Sequence, residues 1–197
     1  MAVDNQNSIS GDTEFPQFTR PFVIGLILIL FLAVICRVIF VTWTDLPRAD
    51  PWRHIHLVDN IRSGAGFTLY ENQPYIWYSP VWHYLAATVA PSNFLQWIAA
   101  VFSLLACLFF TLFLYWRGAD TGGAFAGGFL MACFGPAVAF SCQFGSEGFA
   151  LALLTGSLLL TLRGRGAITA IVSGILFGLC LSTRLHFVFT AFLFFPL

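Results

Sequence analysis

The sequence predicts an all-α, multi-pass transmembrane helical bundle with about five full spans, a partial sixth span and two interfacial helices. The 197 residues are 58% hydrophobic and only 9% charged, and the mean hydropathy is +0.83. Soluble domains carry about 25% charged residues, and a helix that crosses a bilayer needs roughly 20 apolar residues. Because several apolar runs approach that length, we expect a membrane bundle and not a soluble domain.

The chain begins with a polar segment, residues 1–19, which has no apolar period and is predicted to be a disordered tail. The first span is predicted over about residues 21–41, where a proline suits the first turn and an apolar run follows. The run is too long and too far from the N-terminus for a simple secretory signal. Arg37 lies near its far end, so we expect this side chain to reach the membrane surface.

A long polar stretch, residues 42–79, separates the first apolar run from the next. It contains an Asp-Pro pair at Asp50, and aspartate suits the N-cap of a helix while proline suits its first turn. Apolar residues then alternate with polar ones until Gly64, a residue type that commonly ends helices. We therefore expect a short amphipathic helix that lies on the membrane surface.

The next apolar run, residues 80–90, is too short to cross a bilayer, and Pro91 interrupts it. We predict a second interfacial helix there. Further spans are predicted at about residues 94–115, 123–141, 148–162 and 167–183. The apolar run at 187–197 resembles half of a span, so residues 20–197 are interpreted as the N-terminal transmembrane module of a longer protein.

The arginines set the predicted orientation, because cytoplasmic loops are enriched in basic residues. Counting the spans alternately places these arginines on one side: Arg20, Arg117, Arg163 and Arg165. We therefore predict a plasma (inner) membrane protein with a cytoplasmic N-terminus. Asp50, Glu147 and Arg184 then fall together on the extracytoplasmic side, provided that residues 80–90 do not cross.

Asp50, Glu147 and Arg184 form the candidate active site. A positioned aspartate can remove a proton from an acceptor, a second carboxylate can share a divalent metal ion with it, and an arginine can bind phosphate with two hydrogen bonds. Together they suit transfer of a sugar from a lipid-phosphate donor. Each residue also has a structural alternative: an N-cap, an acid favoured at a helix start, and an interfacial anchor.

The order of these features resembles the N-terminal module of the GT-C superfamily of integral-membrane glycosyltransferases, which use polyprenyl- or dolichyl-linked sugar donors. Residues 48–68 resemble the first extracytoplasmic loop of this module, and residues 49–57 within it resemble the Asp-Pro-aromatic-x-His pattern of oligosaccharyltransferase catalytic subunits. Residues 71–87 resemble a segment of aminoarabinose- and protein-mannosyltransferase-like members. Residues 141–154 resemble the second acidic motif, and residues 173–189 resemble the fifth span with its Thr-Arg end.

By this resemblance, Asp50 matches the catalytic acid, Glu147 the second acidic position, and Arg184 a contact to the donor phosphate. Asp50 and Glu147 would be the ligands of a divalent metal ion, Mg or Mn. Gly145 stands where oligosaccharyltransferases carry a further acid, which weakens the case for a tightly bound metal. The remaining candidates for substrate binding are Arg53, His54, Tyr78, His83 and His186.

The resemblance implies an enzyme that transfers a sugar from a polyprenyl-phosphate donor to an extracytoplasmic acceptor. The formal net charge of zero implies no bulk attraction to nucleic acid. The alternatives are a non-enzymatic membrane protein, such as a transporter half or an assembly subunit, and an inactive fragment with the same fold. Transporters tend to show broken spans with polar groups near the midplane, whereas the polar residues here lie at the predicted span ends.

Overall fold

The computed structural model describes residues 17–43, 50–69, 74, 80–89, 91, 94–164 and 166–184, with only the backbone described at positions 50, 51 and 141. Over these ranges the chain is helical, with one isolated bridge between Thr68 and Pro74 and no strand. The described helices are α1 (Arg20–Trp43), α2 (Asp50–Arg62), α3 (Pro80–Val89), α4 (Leu95–Trp116), α5 (Thr121–Cys133), α6 (Gly135–Cys142), α7 (Glu147–Arg163) and α8 (Ala167–Thr183). The predicted all-α class is confirmed. The predicted tail, Tyr78, His186 and the last apolar run lie outside the described residues, except for positions 17–19.

Two of these helices, α1 and α4, are long and apolar enough to cross a membrane. They have 24 and 22 residues, and a rise of about 1.5 Å per residue makes each longer than about 30 Å. α1 also leaves large apolar side chains exposed, among them Ile27, Leu28 and Phe31. These features are compatible with a membrane-associated protein.

The helix α4 lies at the centre of the bundle, where it contacts α1, α5, α6 and α7. Small residues allow the close approach: a Cβ atom at Gly128 of α5 would overlap the side chain of Thr111 of α4. α8 packs on α7, and the hydroxyl groups of Ser157 and Ser173 lie 3.0 Å apart between them. Such hydrogen bonds join apolar helices where packing alone gives little direction.

The bundle has two distinct ends. At the basic end, formed by the start of α1 and the ends of α4 and α7, the Arg163 guanidinium lies 4.8 Å from the ring centroid of Trp116. At the site end, formed by α2, α3, residues 143–147 and Arg184, a buried apolar cluster joins α2 and α3 to the starts of α4 and α7. Among the described residues, Arg20, Arg117 and Arg163 lie at the basic end and Glu147 and Arg184 at the site end, which is the grouping that alternate counting predicts. The orientation relative to a membrane stays a prediction.

The predicted third span, residues 123–141, is not one helix. α5 ends at Cys133 and α6 begins at Gly135, with Phe134 between them in extended conformation at φ −62° and ψ 108°. Pro136 follows, and proline has no N–H group to donate to the carbonyl four residues earlier. The carbonyl groups at the end of α5 therefore need other partners.

Arg37 supplies those partners, so the expectation that it would reach the membrane surface is wrong. Its side chain is 2% exposed. The guanidinium donates to the carbonyls of Ala33 (3.1 Å), Ala132 (3.1 Å) and Met131 (3.3 Å) and to the hydroxyl of Ser103 (2.8 Å). The break between α5 and α6 gives a buried arginine enough acceptors to offset the loss of water, which makes the surface position unnecessary.

Candidate functional site

The two short helices α2 and α3 form much of the site end. α2 begins at Asp50, as predicted, and ends before Gly64, whose φ of +82° is the left-handed conformation that glycine adopts readily. The last turn of α2 is tied to the last turn of α3. There the Arg62 guanidinium donates to the carbonyls of Ala86 and Ala87, both at 3.1 Å. A cation at this position also complements the dipole of α3.

Near their starts, α2 and α3 are joined by a buried pair of histidines. Nδ1 of His54 lies 2.6 Å from Nε2 of His83, and the two side chains are 1% and 0% exposed. The rings are almost parallel, at 7°, with centroids 4.8 Å apart. Aromatic rings cover the pair: Phe67 lies 5.1 Å from His83, and Phe144 lies 6.3 Å from His54. One ring therefore donates an N–H to the other in a dry environment.

His54 is uncharged at neutral pH. Burial, then the neighbouring His83, then the positive charge of Arg184 lower the pKa of His54 from its ordinary value of 6.5 to about 2. The last of these causes also shows that Arg184 lies near the pair. A neutral His54 adds no positive charge beside Arg184.

Arg184 follows the last turn of α8 and reaches across to the start of α7. Its Nε donates to the hydroxyl of Ser146 at 2.7 Å, and its Nη2 forms an ion pair with Oε1 of Glu147. Glu147 is the first residue of α7, where the helix dipole favours an acid. The two side chains are partly exposed, at 21% for Arg184 and 36% for Glu147. The ion pair therefore faces a region that a ligand can approach.

Gly145 makes room for this ion pair. A Cβ atom at Gly145 would overlap the carboxylate of Glu147, so any larger residue would force that carboxylate to move. The glycine that departs from the oligosaccharyltransferase pattern therefore has a local role here. It allows one acid, instead of two, to bind the arginine from the adjacent helix.

The structure brings several of the predicted site residues together. Glu147 and Arg184 are in contact, and His54 is near Arg184. Asp50 opens α2 one turn before His54, with its side chain outside the described part. Arg53 is exposed on the same helix.

His54 and His83 were expected to contact substrate. The structure instead buries them against each other, so direct contact with substrate is closed to them in this conformation. The sequence carries no signal for this pair, because the two residues are 29 positions apart and lie on separate helices.

The described residues fit a metal ion poorly. They include no group of three or more His, Cys, Asp or Glu side chains that could hold one. One oxygen of Glu147 is already bound by the Arg184 cation, which opposes the approach of a second cation. The predicted Mg or Mn ion stays a prediction, and no step below depends on it.

Ser146 is a site residue that the sequence did not single out. It occupies the N-cap of α7, yet its side chain makes no capping hydrogen bond and instead accepts from Arg184. Its position directly before a helix-start acid was the available signal. The sequence matches no protein-family model, and comparisons with curated proteins and with solved structures also find no match.

Proposed function

We propose that this chain is the membrane module of a GT-C-like glycosyltransferase that uses a polyprenyl-phosphate-linked sugar donor. In this proposal the bundle crosses the membrane with about five spans and a partial sixth, and the site end is extracytoplasmic. One observation carries the proposal: Arg184, Glu147 and the first turn of α2, which opens with Asp50, lie together at one end of the bundle.

The site end has the donors that a phosphate group requires. Arg184 offers a planar set of N–H groups that suits phosphate oxygens, and it is partly exposed. The first turn of α7 lies beside it, and the free N–H groups at a helix start attract anions. Because the nearby His54 is neutral, Arg184 and this helix start supply the favourable charge for an anion.

In the proposed reaction, the acceptor oxygen or nitrogen attacks the anomeric carbon of the donor sugar. The proton of the acceptor passes to the carboxylate of Asp50. The bond between the anomeric carbon and the phosphate oxygen breaks, and its electron pair leaves with the polyprenyl phosphate. Arg184 stabilises the negative charge that this phosphate gains.

Glu147 has a different role from the one that the sequence suggested. Because its carboxylate occupies Arg184, an entering phosphate must displace it. Exchange of one anion for another at a partly exposed arginine is feasible, since ion pairs of this kind contribute only about 0–1 kcal/mol. Glu147 therefore keeps the arginine paired until a donor arrives.

The second candidate, a transporter-like protein, gains support from the break between α5 and α6. Discontinuous helices with polar groups are typical of transporter binding sites. The described carbonyls of Ala132 and Met131 are, however, already bound by Arg37. The break thus has an internal partner, and the enzyme remains the better supported candidate.

The test is sugar transfer by the protein in membranes supplied with a radiolabelled polyprenyl-phosphate sugar. We expect Asp50→Asn to abolish transfer, because an amide cannot accept the proton. Asp120→Asn is the matched control: Asp120 caps α5 near the basic end by accepting from the N–H of Gly123 at 2.6 Å, and this variant should retain transfer. Full transfer by Asp50→Asn would refute the role of Asp50, and solute flux without transfer would favour the transporter.

A further inference from the structure

The first turn of α2 carries two residues on one face. Asp50 and His54 are four positions apart in the helix, and residues at this spacing lie one above the other. His54 is in turn bonded to His83 of α3. The register of α2 thus places residue 50 one helical turn before a buried hydrogen bond to the neighbouring helix.

We propose that the His54–His83 pair positions Asp50 for the reaction by fixing the first turn of α2 against α3. This inference rests on the proposed function. Neither histidine touches the reacting atoms; both act through the helix that carries Asp50. They are therefore positioning residues and not catalytic ones.

The location of the pair supports this role. α2 is tied to α3 at two places, by His54 near its start and by Arg62 in its last turn. At a rise of about 1.5 Å per residue, His54 lies roughly 6 Å along the helix axis from Asp50 and Arg62 roughly 18 Å. Of these two hydrogen-bonded links, the histidine pair is the one nearer to the start of α2, where Asp50 lies.

The chemistry of the pair supports the role as well. A hydrogen bond between ring nitrogens has a preferred direction, whereas an apolar contact tolerates sliding. At 2.6 Å between nearly parallel rings, a shift or rotation of α2 would leave a ring nitrogen unpaired among buried side chains. Such a loss is unfavourable, so the pair selects one setting of the helix.

The neutrality of His54 excludes two other roles for this residue. Because burial holds the pKa of His54 near 2, this imidazole is a poor base at neutral pH. It also adds no positive charge that would compete with Arg184 for a phosphate. The role that remains for His54 is to hold the first turn of α2 in place through its hydrogen bond to His83.

The test compares three variants of the whole protein in the transfer assay. His83→Leu removes the hydrogen bond, and we expect kcat to fall at least about tenfold while the KM for the donor changes less than about twofold, because Arg184 is untouched. His83→Gln places an amide nitrogen near the position of Nε2 and should restore most of kcat. Arg62→Met breaks the other link between α2 and α3 and should leave kcat near that of the unaltered protein.

Hydrogen exchange of α2 separates this inference from the proposed function. We expect His83→Leu, but not His83→Gln, to accelerate exchange in residues 50–58. If the unaltered protein shows no transfer while this exchange pattern holds, the proposed function fails and the positioning of α2 stands. The inference is overturned if His83→Leu keeps kcat, or if His83→Gln loses kcat with α2 still protected. If His83→Leu does not fold, the His83→Gln variant alone tests the inference by the same criterion.

Discussion

Two arginines of this protein each donate a hydrogen bond through Nε to a serine hydroxyl, but they differ in their other partners and in their burial. Arg37 in the bundle interior donates through Nε to Ser103 at 2.8 Å, and Arg184 at the site end donates through Nε to Ser146 at 2.7 Å. Beyond the serine, Arg37 binds three backbone carbonyls. Arg184 binds a side-chain carboxylate, that of Glu147.

The difference separates an arginine that holds the fold from one that can exchange its partner. The carbonyls around Arg37 belong to helices, so they cannot leave without unfolding, and the side chain is 2% exposed. The carboxylate of Glu147 can rotate away, and Arg184 is 21% exposed. Residue type alone does not decide the role of an arginine in such a bundle; the mobility of its partner does.

The largest expected effect is on stability at the interior arginine. Arg37→Met leaves the carbonyls of Met131 and Ala132 and the hydroxyl of Ser103 without their donor. Each buried acceptor that is left without a partner costs about 1–3 kcal/mol, so the total loss should be several kcal/mol. Unfolding of the detergent-solubilised protein by heat or by SDS should show this loss. If Arg37→Met had unchanged stability, Arg37 would contribute as little to the stability of the fold as we expect of the partly exposed Arg184.

The next effect is on ligand binding at the site end. Arg184→Met should weaken binding of a short polyprenyl phosphate by about a hundredfold, because a charge-assisted phosphate contact is lost. The same variant should change the free energy of unfolding by no more than about 1 kcal/mol. Binding in nanodiscs and thermal unfolding measure the two quantities. If Arg184→Met lowered the stability of the fold as much as it weakened ligand binding, Arg184 would be a structural arginine like Arg37.

Acid should affect the site end before the interior. The pKa of His54 lies near 2 in the folded protein and near 6.5 in the unfolded chain, so only the unfolded chain takes up this proton between those values. Stability is full above pH 6.5 and falls by about 1.4 kcal/mol per pH unit below it. When the pH falls from about 7.5 to about 5.5, the protection of backbone amides against hydrogen exchange, corrected for the intrinsic pH dependence of exchange, should decrease more in α2 than in α5. His54→Asn, which retains a nitrogen near the position of Nδ1, should flatten this dependence.

The smallest expected effect comes from one methyl group. Gly145→Ala would place a Cβ atom against the carboxylate of Glu147 and push it off Arg184. Release of this competing anion should tighten binding of a polyprenyl phosphate by about fivefold, an ion-pair effect of about 1 kcal/mol. Gly174→Ala is the control, since nothing lies within 4 Å of its Cβ position, and it should leave binding unchanged. Weaker binding by Gly145→Ala would contradict the competition between Glu147 and phosphate.

The helices of this fold were largely predictable, because their signals are local. The predicted range 167–183 coincides with α8 (Ala167–Thr183), and an Asp-Pro pair marked the start of α2. The break after Cys133 was missed although Gly135 and Pro136 stand in the sequence. A proline in an apolar run is compatible with one kinked span. Whether the chain forms one kinked helix or two helices depends on which groups bind the freed carbonyls.

The site was predictable only in outline. Alternate counting placed Glu147 and Arg184 at the same end, which the structure shows as an ion pair. The sequence assigned these two residues to different ligands, a metal and a phosphate, and gave no reason to pair them with each other. Contacts between distant segments, such as His54 with His83 or Arg37 with Ala132, depend on helix packing that local patterns do not encode.

The hydrogen bonds of Arg37 also imply an order of events during biosynthesis. Met131 and Ala132 follow Arg37 by 94 and 95 residues, so the ribosome delivers the arginine long before these two acceptors. A lone arginine within an apolar helix is costly in a bilayer. If α1 crosses the membrane as proposed, Arg37 therefore enters with some of its N–H groups unsatisfied, and it gains its last two partners only when α5 is made. A helix made later, α5, thereby stabilises the position of α1, the first described helix, in the membrane.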